Sequence, residues 1–250
     1  MAERAEDSQI RVLLLDIEGT TTPVDFVYKT LFPYASRKVE AFLLEHFHDR
    51  ETQVMLAELA AQHQRDEREG AQPPGWHEET DQALLRSNVA YVHWLMATDS
   101  KCAPLKRLQG RIWQQGYASG QLRGEVYADV PPAFERWRRQ GREICIYSSG
   151  SVLAQQLLFR STSSGDLTPY ISAFYDTGIG SKTDSESYSR IAESRRRATD
   201  EILFISDALR EIEAARLARF HARLCVRQPT ESDKPSGGGI IRTFEQVLPD

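Results

Sequence analysis

From Asp25 to about Gly116 the chain reads as helix with no strand-like run, whereas both flanks read as strand and helix in turn. Ahead of the block stands Arg11-Val12-Leu13-Leu14-Leu15-Asp16, a short apolar run ending in an acid. Such a run fits a strand buried on both faces of a parallel sheet. Inside the block, Phe26–Phe47 has helical spacing with Pro33 forcing a break or kink. Glu51–Glu69, Glu79–Met96 and Leu105–Gln115 are further helices. Behind it, Pro131-Pro132 opens a helix that Gly141 closes. Strands at Glu143–Tyr147, Ile171–Tyr175, Glu201–Ile205 and Ala222–Val226 then alternate with helices at Val152–Phe159, Ser185–Arg197 and Leu209–Phe220. The expected fold is α/β: a Rossmann-like doubly wound parallel sheet with helices on both faces and an inserted all-helical cap. Residues 1–24 and 117–250 would form the core, and 25–116 the cap over the carboxyl ends of the strands, where open α/β sheets bind ligands.

Composition removes several function classes. Lys+Arg 31 against Asp+Glu 36 gives a net charge of −5, which speaks against a general electrostatic nucleic-acid binder. The longest aliphatic run, Val12–Leu15, is far too short to span a bilayer, and Met1–Arg11 is charged without an apolar signal core. Cys102, Cys145 and Cys225 form no CxxC and read as reduced, mostly buried thiols. A cytoplasmic monomer is expected, with the nucleus as a further compartment in a eukaryote, and with neither nucleic acid nor membrane as a partner.

The polar residues cluster where a parallel sheet would bring them together. Asp16-Ile17-Glu18-Gly19-Thr20, Ser148-Ser149-Gly150-Ser151, Gly180-Ser181-Lys182 and Ser206-Asp207-Ala208-Leu209-Arg210-Glu211 all follow strands or open helices, on one sheet edge. Asp16 and Glu18 point to the same side of an extended segment, and Asp207 arrives from another strand. Acids so close repel unless a cation sits among them, and carboxylate oxygens suit Mg²⁺. The plain alternative is that Asp16 caps a turn and Asp207 caps a helix. Ser148 and Ser149 at a helix start can hold a phosphate, or be ordinary caps. Lys182 can neutralise a phosphate oxygen, or be a solvated lysine. Together they make a phosphoryl-transfer site in which an aspartate can be the nucleophile.

These motifs resemble the haloacid dehalogenase superfamily, and within it the enolase-phosphatase E1 family. The superfamily's first motif, Asp-x-Asp-x-Thr, appears as Asp16-Ile17-Glu18-Gly19-Thr20, with the glutamate characteristic of that branch. Thr21-Thr22-Pro23, Leu31-Phe32-Pro33-Tyr34, Leu108-Gln109-Gly110 with Trp113, Val126–Pro131, Ile146–Ser151 and Lys182 with Ser185–Tyr188 extend the match over residues 10 to 249. The resemblance implies one Mg²⁺ per subunit, held by Asp16, Asp207 and Glu18, the last through its backbone carbonyl. It implies Asp16 as nucleophile and Glu18 as acid/base, with Ser148, Ser149 and Lys182 on the phosphate. Position 208 is Ala where many members carry a second aspartate, leaving Glu211 or water to complete the metal site. The implied substrate is a small phosphorylated diketone, 2,3-diketo-5-methylthiopentyl-1-phosphate, enolised and then dephosphorylated to the acireductone of methionine salvage.

The enolisation base is left open, with Glu18 a candidate for its reach. Two other readings keep the same residues: a capped phosphatase for another small phosphate ester, and a phosphoaccepting receiver-like regulatory module. The helical insertion speaks against the second, because a receiver has no small substrate to enclose. His46 and His48 are spaced to point apart on a helix, and the tryptophans read as packing residues.

Overall fold

The structure, a computed structural model, describes residues 7–228 and 239–250. The chain divides into two compact units, residues 1–26 with 123–250, and 27–122. These breaks fall later than the expected 24/25 and 116/117. The last helix of the second unit runs on to Ala118, and Leu122 N–H bonds back to the Gly116 carbonyl, so the tail stays with the helices.

The first unit is built on a parallel sheet of β1 (Val12–Leu15), β2 (Glu143–Tyr147), β3 (Ala173–Tyr175), β4 (Ile202–Ser206), β5 (His221–Cys225) and β6 (Ile240–Ile241), in the order β3-β2-β1-β4-β5-β6. β6 is too short to carry a periodic signal and was not expected. β1 is central, flanked by β2 and β4 in parallel register, which is why all four of its residues are buried apolar ones. The first half of the sheet is reached by one crossover direction and the second by the other, so a switch point lies at β1, and the loop after it opens at that crevice.

One face of the sheet, through Val12, Leu14, Cys145, Tyr147, Ile202 and Phe204, packs on Tyr188, Ile191, Ile212 and Ala215. These last residues belong to the helices Ser185–Arg195 and Leu209–Leu217. On the second face lie the helices Val130–Arg139 and Val152–Arg160, with Phe134, Trp137, Phe159 and Phe244 forming a chain of ring contacts. Trp137 donates Nε1–H to the Val247 carbonyl at 3.1 Å, tying the C-terminal turn to this face.

The second unit holds α1 (Phe32–His46), α2 (Arg50–Arg68), α3 (Asp81–Ala97) and α4 (Ala103–Ala118). Pro33 starts α1 rather than kinking it: residues Phe26–Leu31 make a wide π-type turn, and the α-helix begins where proline is tolerated. The Leu31 carbonyl takes a bond from Trp113 Nε1 at 2.9 Å, so Trp113 is a buried packing and capping residue. α3 starts two residues later than expected because Thr80 caps it, accepting from Ala83 N–H. His63 sits between Trp76 and Tyr91, with Nε2 2.7 Å from the Pro74 carbonyl. In the first unit the remaining helices are α5 (Val130–Arg139), α6 (Val152–Arg160), α7 (Ser185–Arg195) and α8 (Leu209–Leu217). α7 ends before the expected Arg197 because Arg196 turns left-handed at φ 54°. All three cysteines are unpaired, and among the described residues no helix is long and apolar enough to cross a membrane.

Candidate active site

Ladder bonds carry the strands just past their ends and so fix the residues that follow. Asp16 N–H donates to the Ile205 carbonyl at 3.0 Å, and Ser148 N–H to the Tyr175 carbonyl at 3.1 Å. The chain after Asp16 curls tightly. The N–H groups of Thr20, Thr21 and Thr22 all face the Ile17 carbonyl, and Gly19 N–H returns to the Thr22 carbonyl at 2.8 Å. Gly19 has φ +70°, and a Cβ there would overlap the carboxylate of Asp207. Only glycine satisfies both the backbone and that close approach.

Asp16 is buried, and its two oxygens have different partners. Oδ1 receives Lys182 Nζ at 2.5 Å, and Oδ2 receives the Ser206 hydroxyl at 3.2 Å. Lys182 also donates to Glu211 Oε2 at 2.8 Å, and its ammonium lies 5.9 Å from the centre of the Tyr147 ring. The Ser206 hydroxyl lies 2.8 Å from Glu211 Oε2 as well. A hydroxyl has one proton, so both contacts are hydrogen bonds together only when one of the carboxyls carries a proton of its own. Tyr188 holds this group from below, its hydroxyl 2.7 Å from the Lys182 carbonyl and 3.2 Å from that of Glu211.

Glu18 is partly buried, with Oε2 3.4 Å from the Ser148 hydroxyl, which itself accepts Gly150 N–H at 3.1 Å. Neither serine is the helix cap: that role falls to Ser151, which accepts from Ala154 N–H at the start of α6. Ser149 stands between them in the same turn. Asp207 does not cap α8 either, since Ala208 precedes the helix and no side chain caps it. The capping alternatives for Ser148 and Asp207 therefore do not describe what these residues do.

Electrostatically the group is one buried cation among four acids. Burial pulls the Lys182 ammonium down, but Asp16 and Glu211 outweigh it and hold its pKa above the ordinary lysine value. Glu18 is raised by burial and then by the Asp16 charge. Glu211 is raised by burial and by Asp16, with Lys182 opposing. Asp207 is pushed up to about 7 by the partial loss of water around its carboxylate and by Asp16, with Lys182 opposing. The set holds more negative charge than one ammonium can neutralise, and its oxygens are the donors a hard divalent cation prefers. Among the described residues no three Asp, Glu, His or Cys side chains converge to hold an ion by themselves. A bound cation would therefore draw on a backbone carbonyl and water as well.

Glu211, read as an outer acid of a metal site, is turned onto Lys182 and Ser206. Sequence reasoning placed Ser206 and Tyr188 within its motifs but gave neither a role. Ser206 adjoins Asp207 at a strand end and could have been found there, whereas Tyr188 reads as an ordinary core aromatic.

The comparisons with known proteins point the same way. Residues 10–219 match the haloacid dehalogenase-like hydrolase family. The chain is 44% identical over 238 residues to the enolase-phosphatase E1 of Synechococcus elongatus, covering 95% of this chain and 98% of the relative. It is 40% identical over 245 residues to that of Xenopus tropicalis, covering 95% and 94%. The crystal structure of the UTR4 protein from Saccharomyces cerevisiae superposes with a TM-score of 0.75 at 31% identity, covering 95% of this chain and 100% of that one.

Proposed function

The chain belongs to the haloacid dehalogenase-like hydrolases and, within them, to the enolase-phosphatase E1 family, and from that premise we propose which residues carry its reaction and on what. It is an enzyme, a phosphoric monoester hydrolase with enolase activity acting on a small phosphorylated substrate. The proposed substrate is 2,3-diketo-5-methylthiopentyl-1-phosphate, converted to 1,2-dihydroxy-3-keto-5-methylthiopentene and phosphate.

The observation that carries the assignment of residues is the Asp16–Lys182 pair at 2.5 Å, set at the carboxyl end of the central strand. Asp16 is the proposed nucleophile. Lys182 and Ser206 fix both of its oxygens, which sets the direction of attack. Asp16 attacks phosphorus, the phosphorus–oxygen ester bond breaks, and its electron pair leaves with the departing oxygen. Glu18 supplies the proton to that oxygen. Its raised pKa suits it to hold that proton. Glu18 then takes a proton from the water that attacks the aspartyl phosphate, which releases phosphate and restores Asp16. Ser148 and Ser149, with the amides of their turn, are the proposed phosphate holders.

Mg²⁺ is the proposed cofactor, one per subunit. The surplus of carboxylate oxygens fits it, with Asp16, Asp207 and the Glu18 carbonyl as protein donors and water completing the shell. When bound, it would neutralise charge on the phosphoryl group and on the enolate oxygen. The helical unit, residues 27–122, is the proposed cap, excluding bulk water while the diketone is enolised. A monomer in a reducing cytoplasm suits the three unpaired thiols.

An anaerobic assay with Mg²⁺ and the diketone phosphate tests this, following phosphate release together with the ultraviolet absorbance of the enediol. Both signals are expected, and chelation should abolish both and added Mg²⁺ restore them. Cleavage of a generic aryl phosphate with neither signal from the diketone would place the substrate elsewhere.

A further inference from the structure

Arg227 lies two residues beyond β5, on the sheet edge that carries the proposed site, and its side chain is only 6% exposed. Nε and Nη2 donate to one acceptor, the Thr20 carbonyl, at 3.0 and 2.7 Å. Nη1 donates to Asp129 Oδ2 at 2.5 Å and to the Arg242 carbonyl at 3.3 Å. The guanidinium sits 4.4 Å from the centre of the Tyr127 ring and 4.5 Å from that of Phe244. Phe244 N–H in turn donates to the same Asp129 oxygen at 2.6 Å.

The target of this assembly is the turn that bears Asp16 and Glu18. That turn spends its N–H groups on the Ile17 and Thr22 carbonyls, which leaves the carbonyls of Thr20 and Thr21 facing outward. Arg227 takes the first, and Tyr127 N–H takes the second at 3.0 Å. Two donors on one carbonyl fix direction as well as distance. A lysine could pair with Asp129 but offers neither the fork nor a flat face for two rings.

We propose that Arg227 is a positioning residue for the reaction described above: by gripping the Thr20 carbonyl it holds the Asp16–Thr22 turn so that Glu18 stays toward Ser148 while Asp16 stays on Lys182. Arg227 touches neither substrate nor reacting atom. The inference rests on the reading that Asp16 and Glu18 do the chemistry. A residue that only props up the fold would change stability and not the rate of folded enzyme.

The test is R227K, which keeps a cation beside Asp129 and gives up the fork. Turnover is expected to fall ~10–100-fold, the range that a misplacement of about 1 Å produces. KM should stay within ~3-fold, because the loss is confined to the reacting geometry. E143Q, which loses the charge that pairs with Arg195 and Arg197 at the opposite end of β2 in the same unit, is the stability control: its thermal midpoint should fall with kcat unchanged. If R227K does not fold, R227Q combined with D129N removes both charges together and is measured in the same way, with the same loss of kcat expected. A kcat within twofold of wild type, or a loss explained by the unfolded fraction alone, overturns the inference. Turnover retained in Asp16→Asn would remove the underlying reading as well, whereas an inactive Asp16→Asn beside a wild-type-like R227K removes the Arg227 inference alone.

Discussion

Lys182 Nζ stands 2.5 Å from Asp16 Oδ1, although 166 residues separate the two in the chain. Without this ammonium the buried Asp16 carboxylate would keep, among the described residues, the Ser206 hydroxyl alone. The pair also links the turn after β1 to the turn before α7, so one contact serves both the fold and the chemistry.

Removing the cation should therefore do two things. Lys182→Met keeps the side-chain bulk and leaves Asp16 and Glu211 facing each other uncompensated. Breaking a buried pair on one side costs about 3–5 kcal/mol, so denaturant unfolding at pH 7 should show a loss of that order. Phosphate release should fall by ~1,000-fold or more. Wild-type stability in this variant would mean that the pair does not hold the site.

Gly19→Ala separates backbone strain from site geometry. The left-handed backbone at φ +70° costs a residue with a Cβ about 1–2 kcal/mol. The added carbon would also overlap the Asp207 carboxylate, so either Asp207 or the turn must move. Activity is expected to drop ~100-fold, well beyond what the modest fall in stability explains. Comparable small losses in both would show that Asp207 has room to adjust.

Glu143 gives an acid-side prediction away from the site. Burial alone would raise its pKa, but bonds from Arg197 and Arg195 outweigh it and hold it below the ordinary 4.5. A carboxylate depressed in the folded state stabilises the protein above its unfolded pKa and loses that contribution as pH falls through the lower, folded value. Glu143→Gln should cost about 1 kcal/mol at pH 7, the partners being partly solvated. Its difference from wild type should shrink as pH drops below about 4. A difference that stays constant with pH would assign the effect to packing.

Much of this was legible in the sequence, for identifiable reasons. Strands buried on both faces, such as Val12–Leu15, write themselves as apolar runs, and four polar stretches at strand ends converge by topology alone. The proximity of Asp16, Glu18 and Lys182 follows from that topology, whereas only the structure shows that Ser151 and Ala208 hold the cap positions. What stayed hidden depends on side-chain direction. Nothing in the spacing of Glu211 says that it turns onto Lys182 instead of toward a metal. The part Arg227 plays depends on rings and a carbonyl that only the folded chain brings to it. The second domain break shifted because α4 runs on to Ala118 and Leu122 bonds back to Gly116.

The most direct measurement is to quench wild-type enzyme with acid during turnover of the diketone phosphate and map the phosphoryl group on its peptides. The expected result is a phosphoryl group on Asp16 and on no other residue, absent from Asp16→Asn, which should keep its fold and release no phosphate. A label on another side chain, or phosphate release by Asp16→Asn, would contradict the assignment of Asp16 as nucleophile.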